Sequence, residues 1–174
     1  MSDKKQREHE VLLCMTSLPQ HMVRHHGIDN MPEFLRHNLC QQGCFNLSKA
    51  AYFVDNADFN QLKGVAGVAR DEYYRANHWE KPEEFSDHMR RCLFNQKVRT
   101  ISRESADIKN KRPDSLIREI TEVLGFQDPA YVMWQIKYDN AGLLLFEVEK
   151  PEERDAFKDH LYNVLHLFGF CPIF

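Results

Sequence analysis

The stretch Tyr131–Glu149, YVMWQIKYDNAGLLLFEVE, decides the fold class of this 174-residue chain. Aromatic and β-branched residues crowd both of its halves, and such side chains fit a pleated, half-buried surface. Between the halves lies Asp139-Asn-Ala-Gly142, a turn composition. The segment therefore predicts a β-hairpin with a tight turn at Asp139–Gly142. The competing expectation is a helix opened by Asp128-Pro129, which would leave the chain nearly all-α. An isolated hairpin is marginal in water, so a third strand is expected, from Val11–Met15 or from Ala51–Val54.

Helix signals surround the hairpin. Pro151-Glu-Glu opens a last helix with an apolar stripe of Phe157, Leu161, Val164, Leu165 and Phe168, His166 lying on its far side. Before the hairpin, Asp114 or Ser115 starts a helix that faces Leu116, Ile117, Ile120, Val123 and Leu124 inward and stops at Gly125. Residues 102–113 are polar and charged and read as a surface loop. Pro82-Glu-Glu opens a helix with Phe85, Met89, Cys92 and Leu93 on its apolar face. Further back, Phe59, Leu62, Val65, Ala66, Ala69, Tyr73 and Ala76 share helical spacing, which predicts a helix from Asp58 onward despite Gly64 and Gly67. The N-terminal quarter divides into a segment over Asp3–Thr16, a short helix capped by Ser17 and closed by Gly27, and a helix from Asn30 to about Gln42. The whole reads as α+β: a mostly helical single domain over residues 1–174, with a small antiparallel sheet, a β-hairpin in the C-terminal third, packed on helices.

Composition narrows function by exclusion. Net charge is −3, so there is no overall pull toward nucleic acid or anionic lipid. The basic run Lys97–Arg112 is interrupted by Glu104 and Asp107 and carries no interleaved aromatics, which predicts a solvated surface. No apolar run approaches the ~20 residues of a membrane span, and the charged start MSDKKQREHE does not resemble a signal peptide. Five cysteines without a secreted spacing predict a cytoplasmic protein with reduced thiols. Cys14, Cys92 and Cys171 lie in apolar surroundings and read as core, as do Trp79 and Trp134. Nucleophile-elbow, P-loop and dinucleotide fingerprints are missing.

The remaining signal is His21–Cys44, HMVRHHGIDNMPEFLRHNLCQQGC. His21, His25, His26, His37, Cys40 and Cys44 fall inside it, out of nine His and five Cys in the chain. On a helix, His37, Cys40 and Cys44 group on the side opposite Phe34, Leu35 and Leu39. His21 and His25 stand at i, i+4, a chelating interval. A divalent metal, Zn or Fe, on three or four of His21, His25, His37, Cys40 and Cys44 is the first expectation. Glu33, one turn before His37, would be a general base or a further ligand of a metal-dependent enzyme. Glu33/His37 and Glu84/His88 also pair at i, i+4, one residue longer than the di-iron bundle spacing. The alternative is a non-enzymatic interaction or regulatory protein that binds another protein and holds no metal or other cofactor.

Overall fold

A computed structural model describes residues 3–105 and 113–172 of the chain. Its centre is a five-stranded antiparallel sheet in the order β3-β2-β1-β5-β4. The strands are β1 Leu47–Asn56, β2 Gln61–Ala69, β3 Ser102–Glu104, β4 Ala130–Gln135 and β5 Ala141–Val148. The helices are α1 Asp3–Arg24, α2 Met31–Leu39, α3 Pro82–Arg91, α4 Leu93–Thr100, α5 Asp114–Leu124, α6 Pro151–Ala156 and α7 Lys158–Leu165. The α+β expectation holds, but the sheet has five strands rather than a lone hairpin, and β1 at its centre contains the anticipated Ala51–Val54.

Side-chain alternation along the strands assigns the two faces. Ala50, Tyr52, Val54, Leu144 and Phe146 point into one core with residues of α1, α2, α3 and α7. Ala51, Phe53, Leu143 and Leu145 point into the other, against Val98 of α4 and Ile117, Ile120 and Leu124 of α5. The period of two thus gives β1 and β5 two apolar faces, each covered by helices.

The C-terminal hairpin is present, with its turn two residues earlier than expected. Tyr138 and Asp139 take positive φ, and Ile136 N–H donates to Asn140 C=O at 2.9 Å, so Gly142 lies inside β5. Gly142 pairs with Trp134, whose ring passes 2.5 Å from where a Cβ would stand. The final stripe behaves as its spacing predicts, with Phe157, Leu161, Val164, Leu165 and Phe168 buried and His166 exposed.

The helix expected from Asp58 is instead β2. Asn56 accepts the N–H groups of Asp58 and Phe59 through Oδ1, and Asn60 takes φ +48°, which turns the chain back onto β1. The glycines mark a close crossing rather than weak helix. A Cβ on Gly64 would lie 1.9 Å from the Val98 carbonyl oxygen of α4, and one on Gly67 would lie 2.6 Å from Val98 Cγ2. Val65 sits in a β-bulge between the Tyr52–Ala66 and Phe53–Gly64 pairs.

At the N-terminus one helix replaces two. Ser17 donates to the Cys14 carbonyl at 2.8 Å instead of capping a new helix, and α1 runs on through Pro19. Within 102–113, residues 102–104 form β3; Lys109, Lys111 and Arg112 of the expected basic surface lie outside the described residues.

Candidate functional site

Every residue of α2 is buried, including four polar ones, Glu33, Arg36, His37 and Asn38. Burying so many polar groups on one helix is costly unless each finds a partner. Their partners divide the helix into separate environments.

At its N-terminal end, Glu33 is 3% exposed. Its Oε1 accepts Asn95 Nδ2 at 2.9 Å and Arg99 Nη1 at 3.3 Å, and its Oε2 accepts Asn30 Nδ2 at 2.7 Å. Asn95 is itself fixed, because its Oδ1 accepts the Gly67 N–H at 2.8 Å. With three donors on the carboxylate, Glu33 is suited to organising its surroundings rather than to taking a proton from a substrate. It borders a cleft of about 610 Å³ lined also by Asn30, Ser86, Arg90, Arg99 and the bulged Val65. Arg90 pairs with Asp87 and Arg99 with Glu33, each through Nη1, and both side chains stay more than half exposed.

Around the corner lies an apolar groove of about 390 Å³, lined by Pro19, Met22, Val23, Ile28, Met31 and Phe170 among others. Val23 and Phe170 are 72% and 75% exposed on its rim. Pro172 lines both depressions, and the turn 28–32 contributes Ile28 and Met31 to one and Asp29, Asn30 and Pro32 to the other.

Midway along α2, the fully buried Arg36 donates to the carbonyls of Ala50 in β1, at 3.2 Å, and Ala66 in β2. Burial lowers its pKa to about 10, which leaves it charged at neutral pH. Next, His37 stacks on Tyr73 at 4.1 Å and meets His78 edge-on at 4.5 Å. No ring nitrogen of His37 or His78 makes a hydrogen bond of good geometry, although the backbones of Tyr74 and Phe34 lie against them and favour their charged forms. Burial, with His78 and His88 adding repulsion, pushes His37 down to about 2; burial likewise takes His78 to about 3. Asn38 accepts Trp79 Nε1–H at 2.9 Å.

The five residues expected to hold a metal are distributed as follows. His21 stacks flat on Trp79 at 4.8 Å, and His25 lies tilted against the same ring at 5.3 Å. His37 lies inward of them, beside His78, which itself contacts Trp79 at 4.9 Å. Cys40 is buried, and desolvation lifts its thiol to about 12. Cys44 lies beyond the end of α2, off the helical face on which spacing placed it, and is disulfide-bonded to Cys14. Reduced thiols therefore hold only for Cys40, Cys92 and Cys171, and Cys14 is a half-buried bridge rather than a core thiol. Among the described residues, no three His, Cys, Asp or Glu side chains are grouped so as to hold an ion. Glu84 contacts Lys81 and Tyr74, and His88 Nε2 contacts the Glu72 carbonyl. Among the described residues, no helix is long and apolar enough to cross a membrane.

Sequence reasoning missed His78, Asn95 and Arg99. His78 stood outside the ligand-rich stretch, and its meeting with His37 depends on how residues 73–81 lie over α2. Asn95 had a signal in retrospect: a polar residue on a short helix that crosses two glycines is placed to meet strand backbone. Compared with protein-family models, with curated proteins and with solved structures, the chain matches none.

Proposed function

We propose that the protein is a non-enzymatic interaction protein that docks an extended segment of a partner, with apolar side chains in the Val23–Phe170 groove and a carboxylate in the Arg90–Arg99 cleft. The observation that carries this reading is that the two depressions share Pro172 and are lined by adjacent residues of 28–32. Exposed Val23 and Phe170 offer apolar area to cover, and Arg90 and Arg99 of the other depression supply directional donors, with Asp29 opposing them. Glu33 holds Arg99 in place from below while leaving the guanidinium more than half exposed.

The test is selection of short peptides from a displayed random library on the folded protein. Recovered sequences should combine an acidic residue with two or three large apolar ones. Phe170→Asp and Arg90→Glu should each weaken a recovered peptide at least about tenfold, the effect of losing one anchor. Peptides without acidic residues, or binding indifferent to both substitutions, would refute the reading. The metal reading rests on ligand density alone, and elemental analysis of protein purified without chelator separates the two.

A further inference from the structure

The Cys14–Cys44 bridge is asymmetric. Cys44 is fully buried, whereas Cys14 is half-buried on α1 and lines an open groove of about 680 Å³ together with Ser17, His21, Asn38, Arg75 and Trp79. Asn38 Nδ2 donates to Cys14 Sγ at 3.1 Å. The bridge joins residues 30 apart and ties α1 to the segment that follows α2. The N-terminal half of α1 is otherwise held by Val11, its one buried residue there, by Arg7, which donates to the Cys44 carbonyl and to Glu153 and lies over the Phe157 ring, and by Glu8 beside His160.

We propose that Cys14–Cys44 is an exchangeable, redox-responsive latch on α1, with Cys14 Sγ as the sulfur attacked by an external dithiol. A thiolate of the dithiol enters the groove and bonds to Cys14 Sγ. The Cys14–Cys44 bond breaks, its electron pair leaves on Cys44 Sγ, and that sulfur takes up a proton. The second thiol of the reductant then attacks the first reductant sulfur, and Cys14 leaves and is protonated. The bridge gains two electrons and two protons, and the reductant becomes a disulfide. Arg75 at the groove favours the incoming anion, Glu10 at its edge opposes it, and Asn38 steadies the charge that develops on Cys14. The three remaining thiols do not compete, because burial raises Cys40 and Cys171 to about 12 and Cys92 to about 11. Because α1 also carries Pro19, Met22 and Val23, opening the latch would loosen one wall of the docking groove. That consequence rests on the docking reading; the exchange chemistry does not.

The test treats the folded protein with reduced glutathione, quenches in acid, and maps the adduct by peptide mass spectrometry. Glutathione is expected on Cys14, with Cys44 free. An adduct on Cys44, or a bridge reduced only in denaturant, overturns the proposal. In parallel, amide hydrogen exchange is followed before and after dithiothreitol. Exchange over residues 3–16 should accelerate at least about tenfold while β1 and β5 keep their protection. Unchanged protection in α1, or loss of protection in the whole sheet, contradicts a local latch. If both results hold but a selected peptide binds the oxidised and reduced protein equally well, the exchange site stands and only its link to docking falls.

Discussion

Glu33 and His37, one turn apart on α2, are buried in opposite ways. Glu33 is buried but fully partnered, and its network opens onto a cleft. His37 is buried against His78 with no hydrogen bond of good geometry for either ring nitrogen, sealed by Tyr73 and Phe85. A satisfied group at an open edge can serve a ligand without loosening the fold. A sealed, unsatisfied pair is a store of instability that responds to protons. The richest cluster of ligand-type residues in the sequence thus leads to the sealed end, while the open end is built by residues scattered from Asn30 to Arg99.

The largest effect that can break this contrast is acid. The folded pKa values of His37 and His78, about 2 and about 3, lie far below the unfolded value of about 6.5. As pH falls below about 6.5, the unfolded chain binds two protons that the folded chain refuses, so stability declines. Their contribution is complete above pH 6.5 and is lost going down, at roughly 1.4 kcal/mol per pH unit for each histidine. Between pH 6.5 and 5 the pair accounts for about 3 kcal/mol. The titratable groups facing them are Tyr73, Tyr74 and His88 at His37, and His21 and His25 at His78. Urea midpoints read across that window check it, and a flat profile would mean that the pair is solvated.

Next in size, Glu33→Leu should cost about 2–3 kcal/mol, because Asn95 and Asn30 each lose one acceptor, keeping only the Met89 carbonyl and Ser86; Arg99, more than half exposed, adds little. His37→Phe should act with the opposite sign, stabilising at pH 7 by about 1–2 kcal/mol through removal of two orphan nitrogens, and should halve the acid slope. If both substitutions destabilise equally, Glu33 and His37 do not differ as described. The smallest expected effect is that of Zn²⁺, which should leave the melting temperature unchanged. A rise that His37→Phe abolishes would favour the metal reading instead.

How much of this could be read beforehand differs by segment for physical reasons. The Phe157–Phe168 stripe and β4 were legible because each buries one regular face, so its period survives in the sequence; β5, buried on both faces, was legible as a short apolar run bounded by turn residues. β2 was not, because two-sided burial removes alternation over Ala66–Ala69, and Gly64 and Gly67 are small because α4 crosses them closely. The face of α2 was misjudged for a related reason: a helix buried on every side has no polar face, so His37 and Cys40 read as outward when they point into the core. The Cys14–Cys44 bridge depends on how α1 lies beside the end of α2, which spacing alone does not encode. Glu33 was singled out for its distance to His37, yet its partners come from a different part of the chain.

The most direct measurement is the affinity of one library-selected acidic-apolar peptide for four proteins: wild type, Phe170→Asp, Arg90→Glu and His37→Phe. Phe170 and Arg90 are exposed, so those two variants should keep wild-type stability to within about 0.5 kcal/mol. The expected result is a loss of at least about tenfold for each of them and no change for His37→Phe. Full binding by the two surface variants, or a loss confined to His37→Phe, would contradict docking at the open end of α2.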